Sequence, residues 1–123
     1  MRYHVFVDGE KIRVRIYVSS NGNPPFAKWF HSLRDAIAKT SVAARLIRIR
    51  LGNFGDGKSV GAGVRELRVN TGPGYRVYFG RDGESVVILL CGGNKANQKQ
   101  DIEKAKEYWA DYRRQKNAED LKL

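Results

Sequence analysis

Cysteine occurs once in this chain, at Cys91, which excludes an internal disulfide; inside the most apolar run of the sequence it reads as a small core residue. Histidine occurs twice, at His4 and His31, too far apart to suggest a Ser–His pair or a zinc-binding pattern. Acidic residues are outnumbered 13 to 23 by lysine and arginine and do not cluster as a two-metal site requires. No cofactor and no metal are therefore expected. No apolar run is long enough to span a bilayer, and Met1-Arg2-Tyr3-His4-Val5 does not open like a signal peptide, so a cytoplasmic chain without membrane contact is expected. No internal repeat is visible. The 123 residues, 41% of them apolar, suffice for one globular domain but not two.

What the sequence has in excess is positive charge. The formal net charge of +10 is large for this size and favours polyanionic partners, either nucleic acid or an acidic protein. Where the charge sits decides between a solvated surface and a binding site.

The stretch from Gly63 to Gly93, GVRELRVNTGPGYRVYFGRDGESVVILLCGG, contains three strand-like runs separated by two turn signals. Leu67 and Val69 alternate with Glu66 and Arg68, and after the NTGPG turn Tyr75, Val77 and Phe79 alternate with Arg76 and Tyr78. Asp82-Gly83 marks a tight hairpin before the apolar run Val86 to Cys91. A period of two places Glu66, Arg68, Arg76 and Tyr78 on one sheet face and the apolar set on the other. The polar face is the functional candidate, and Arg76, outside the apolar core, should be replaceable at little cost in stability.

Upstream, Tyr3 to Val7 and Ile12 to Val18 read as an N-terminal hairpin over residues 3–18, joined at Asp8-Gly9; Arg13, Arg15 and Tyr17 give its second strand a basic outer face. Phe26, Trp29, Phe30, Leu33 and Ile37 fall at helical spacing, Pro25 suits the first helical position, and Thr40-Ser41 offers a break. A second helix carries Val42, Leu46 and Ile49 inward, with Arg45 and Arg48 on another face. The segment Gly52 to Gly63 contains Asp56-Gly57-Lys58-Ser59 but not a Walker pattern. It reads as a flexible loop carrying Lys58 towards the polar face. Asn97 to Tyr112 forms a final helix with Ile102, Ala105, Trp109 and Tyr112 on its apolar face. Residues 113–123 follow the 1–112 domain as a polar tail that frays.

Arg68, Arg76, Lys58 and Lys95 thus converge on one sheet, with Glu66, Arg65 and Tyr78 close by. Such a set can bind a phosphodiester, and it can stabilise the transition state of RNA cleavage, where the adjacent 2′-hydroxyl is the nucleophile and no metal is needed. A lysine crowded by like charges, or Glu66, could take the hydroxyl proton.

The segments FAKWFHSL, RLIRIRLGNFGDGKSVGAGVRELRVNTGPGYRVYF and VILLCGGNKANQKQDIEKAKEYW resemble the RelE/ParE toxin superfamily, most of all its phage-derived "addiction module killer protein" branch. The likeness covers about Pro25 to Trp109. It implies an α+β fold: a small, mostly antiparallel sheet with two helices packed on it and a C-terminal helix, here preceded by the extra hairpin. It also implies a type II toxin that cuts mRNA in the ribosomal A site and is blocked by a cognate antitoxin, expected to be a helix-turn-helix protein encoded beside it. By that likeness Arg76 of the GYR motif is the phosphate-stabilising arginine, and Arg68 of ELR a second. Lys58 and Lys95 match by type and region, and Arg65, Tyr78, Arg45 and Arg48 join as RNA-binding residues. Several members use a histidine or tyrosine near the C-terminus; here Tyr108 and Tyr112 are available. The superfamily also holds ParE-like inhibitors of DNA gyrase, and a non-catalytic RNA-binding module is a further alternative.

Overall fold

The computed structural model describes residues 8–55 and 57–120. Five strands form one sheet in the order β1-β5-β4-β3-β2: β1 Arg13–Ile16, β2 Lys58–Gly61, β3 Val64–Val69, β4 Tyr75–Arg81 and β5 Val86–Asn94. All neighbours run antiparallel except β1, which lies parallel to β5 at one edge. Helices α1 (Pro25–Ser32), α2 (Ala36–Arg50) and α3 (Gln98–Asp120) complete the expected α+β architecture. The first strand expected for the N-terminal hairpin, residues 3–7, lies outside the described residues; its second strand is β1, which pairs with β5.

Strand alternation builds two cores on opposite faces of the sheet. Leu67, Val69, Val77, Phe79, Val87 and Leu89 meet Phe26 of α1 and Val42 and Ile49 of α2. On the other face Val64, Tyr78, Ile88 and Leu90 meet Ala105 and Trp109 of α3. The face expected to be polar and open is therefore covered along much of its area by α3. Tyr17 is a correction of the same kind: it is buried under α3 and donates to Asp111 Oδ2 at 2.5 Å. Cys91 lies buried in this second core, as its setting implied.

Each face seats an indole on a glycine. Trp29 of α1 lies against Gly92, and Trp109 of α3 against Gly80, close enough that a β-carbon on either glycine would overlap the ring. Helix and sheet approach this closely only where the side chain is absent.

Three element boundaries differ from expectation. The break between the first helices falls at Leu33-Arg34-Asp35 and not at Thr40-Ser41, because Asp35 Oδ1 accepts from the backbone N–H groups of Ile37 and Ala38 at 2.9 and 3.3 Å and starts a new helix. The restart resets the helical phase, so Ile37 is 69% exposed instead of joining the aromatic face. The glycine-rich segment carries a short strand, β2, because Gly61 and Gly63 take positive φ and let it turn back onto β3. Finally, α3 does not stop at Tyr112. Its last turns are held by polar contacts that apolar periodicity does not register: Tyr112 OH donates to Asp82 Oδ2 at 2.6 Å, and Lys116 Nζ stands 2.5 Å from Asp82 Oδ1.

Candidate functional site

The β3–β4 register opposes Glu66 to Tyr78 and Arg68 to Arg76, as the alternation predicted. At the centre of these four residues is the carboxylate of Glu66, which has no exposed surface. Its Oε1 accepts from Arg68 Nε at 3.3 Å and faces Lys58 Nζ at 4.0 Å. Its Oε2 accepts from Gln98 Nε2 at 2.8 Å and Tyr78 OH at 3.2 Å, with Arg76 Nε at 3.6 Å. Burial by itself would raise the Glu66 carboxyl above its ordinary value. The hydrogen bonds from Gln98, Arg68 and Tyr78 and the charge of Arg76 outweigh it, and the carboxyl is held below that value. For Tyr78 burial and the same carboxylate act together and push the phenol up, so it stays protonated as a donor.

Beside this cluster a cleft of about 530 Å³ opens at the end of the β3–β4 hairpin. Arg68, Arg76, Lys95 and Gln98 line it, closed by the Asn70–Tyr75 turn. Lys95 follows β5 directly, in a single helical turn capped by Asn94, and its N–H donates to Gly74 O at 3.3 Å, which ties it to that turn. The four side chains come from β3, β4, the helical turn after β5 and the start of α3, so regular elements fix the cleft. An ionised, enclosed Glu66 holds two guanidinium groups in place while they line a solvent-open cavity. Such an arrangement has the chemistry to receive an anion with little reorganisation.

Not every expected residue comes here. Arg76 is only 7% exposed, which corrects its expected place outside the packed interior. Lys58 arrives on strand β2 and not on a loop. Arg65 is turned away from this cluster by the same alternation and donates from Nη2 to Gly57 O at 3.0 Å. Arg45 and Arg48 lie on α2, across the sheet from the cleft, and Arg45 Nη1 donates to the Arg68 carbonyl at 2.8 Å. Tyr108 stacks on Tyr17, and Tyr112 is bound to Asp82. Gln98 was not foreseen; the available signal was its place four residues before Ile102, on the stripe of α3 that meets the sheet. Asp101, also unforeseen, stands over Gly93, the Cα partner of Arg76, with Oδ2 buried and unpartnered; burial pushes its carboxyl up. Among the described residues no three His, Cys, Asp or Glu side chains are grouped to hold a metal, and no helix is long and apolar enough to cross a membrane.

A family model described as "Phage derived protein Gp49-like" matches residues 28–110, which include every residue of the cleft. The chain belongs to the Gp49-like family. This family of phage-derived proteins lies within the RelE/addiction-module killer group and is toxin-like. The Gp49-like chain is also 48% identical over 81 residues to an uncharacterized protein of Haemophilus influenzae, covering 66% of this chain and 82% of that relative. The family match omits β1, the first three residues of α1 and the final turns of α3, so the Gp49-like part comprises the rest of α1, α2, β2 to β5 and the first half of α3.

Proposed function

We propose that this protein is the toxin of a type II toxin–antitoxin pair, a ribosome-dependent endoribonuclease that cuts mRNA by attack of the 2′-hydroxyl and is neutralised by a cognate antitoxin. The observation that carries the reading is the cleft in which Arg68, Arg76 and Lys95 meet beside one buried carboxylate. Family membership in a toxin-like group supports it.

In this reading the scissile phosphate enters the cleft and its non-bridging oxygens meet the guanidinium groups of Arg76 and Arg68. Attack forms the 2′-O–P bond and breaks the P–5′-O bond, leaving a 2′,3′-cyclic phosphate and a free 5′-hydroxyl. The 2′-hydroxyl proton passes to solvent, and the ammonium of Lys95 protonates the departing 5′-oxygen. Charge accumulates on the phosphoryl oxygens in the transition state, where preoriented cations act most strongly. Glu66 is not the base in this scheme. It is enclosed by five donors and positions the arginines.

The test is induction of the chain without any partner, followed by primer extension on a translated message. Cuts inside the reading frame, dependent on translation, are expected. Intact message together with an SOS response would overturn the reading in favour of gyrase inhibition.

A further inference from the structure

A second cleft, of about 640 Å³, opens between the β2–β3 hairpin and the C-terminal half of α3. Arg65 and Arg81 from the sheet and Arg113 and Lys116 from α3 line it, against two acids, Asp82 and Asp120. Asp82 is occupied by Tyr112 and Lys116, and among the described residues no acid pairs with the exposed Arg113. The Tyr112 ring, stacked on Trp109 at 5.3 Å and 5°, forms part of the wall.

The two clefts share no lining residue, and α3 runs from one to the other. On α3, Gln98, Ile102, Lys106, Trp109 and Arg113 are spaced by fours and a three, which makes a single stripe. This stripe faces the hairpin: Lys106 Nζ lies over Gly61 and Trp109 Nε1 over Gly63. Between the ends stand Lys106 and Lys58, whose side chain is 54% exposed while it reaches back to Glu66. Cations therefore run from Lys95, Arg76 and Arg68, past Lys58 and Lys106, to Arg113 and Lys116. From Gln98 to Arg113 the helix rises about 22 Å.

We propose that this seam is a track for single-stranded RNA, holding several nucleotides to one side of the phosphate in the first cleft through backbone charge and ring stacking. Helix and hairpin are in contact at Gly61 and Gly63, so the strand crosses there over the exposed Lys58 and the half-buried Lys106 and not between walls, a bent path that a flexible single strand can follow and a stiff duplex cannot. Arginines beside an aromatic stack suit a nucleic-acid strand better than an acidic peptide, which offers no bases to stack. The proposal rests on the endoribonuclease reading only for the identity of the polyanion.

The experiment is fluorescence anisotropy with the full-length chain, made by cell-free synthesis, and 2′-O-methyl oligouridylates of about 4 and about 12 nucleotides, which cannot be cut. The longer oligonucleotide should bind about 10-fold more tightly. The double variant Lys106→Gln/Arg113→Gln should lose that advantage while binding the short one as the parent does. The slope of log affinity against log salt should fall by about 1.4, or about 0.7 for each cation removed. Equal affinity for both lengths in the parent overturns the track, and so does an unchanged salt slope in the variant. A parent that shows the length advantage but cuts no message sinks the cleavage reading and leaves the track standing. A parent that cuts message while the variant keeps the full length advantage sinks the track alone.

Discussion

Glu66 stays ionised without any exposed surface because five donors face it, and the arginines of the cleft depend on that charge for their orientation. Its folded carboxyl titrates below the unfolded one, so it stabilises the fold above the unfolded value of about 4.3, and that contribution is lost as pH falls through the folded value. Urea melts of the parent and Glu66→Gln should therefore show a gap at neutral pH that closes below about pH 4; a gap independent of pH would mean that the charge is not what matters. Arg76→Ala should reduce cleavage of ribosome-bound mRNA by about 10²-fold or more, with Arg76→Lys recovering only part, since lysine cannot present a bidentate fork. Because Arg76 is buried against Glu66, the alanine variant should also lose about 1–3 kcal/mol of stability, read from a thermal melt on the same preparation. Alternation in GVRELRVNTGPGYRVYF was enough to place Glu66, Arg68, Arg76 and Tyr78 on one face and in register. It could not show that they are buried, because a period of two assigns a side and does not say what lands on it. Gln98, the fifth donor, belongs to an element that returns to the sheet from elsewhere in the chain.

Among the elements, α3 links the most distant parts of the fold. It begins beside Glu66 through Gln98, seats Trp109 on Gly80, and ends on Asp82 through Lys116. Gly80→Ala should drive a β-carbon into the indole, 2.5 Å from its nearest atoms, and cost about 1–3 kcal/mol. Cleavage should fall with stability because Gln98 moves with the helix. A melt and a cleavage assay on one preparation check this, and a variant stable like the parent would show that α3 does not depend on that fit. Helix existence and apolar faces were legible from Phe26, Trp29, Ala105 and Trp109. The ends were not. Asp35 was a cap hidden in a continuous apolar pattern, and the last turns of α3 rest on Asp82, a residue far away in sequence.

At the scale of the whole molecule, a net charge of +10, with seven of the cations lining the two clefts and Lys58 and Lys106 between them, needs a cover when the protein is not at work. Expression alone should arrest growth, and co-expression with the neighbouring gene should restore it and yield a complex that survives pull-down. Abundant, harmless expression of the chain by itself would count against a toxin. The two indole seats carry a genetic consequence. A glycine codon changed at its first or second base always encodes a side chain or a stop, so most point mutations at Gly80 or Gly92 would wedge a helix off the sheet. If growth arrest depends on the folded chain, survivors of a selection against it should carry lesions at these two codons as often as at the arginines. Neither glycine lines either cleft, and such lesions would mark positions where the gene is fragile because the protein has no atom to spare.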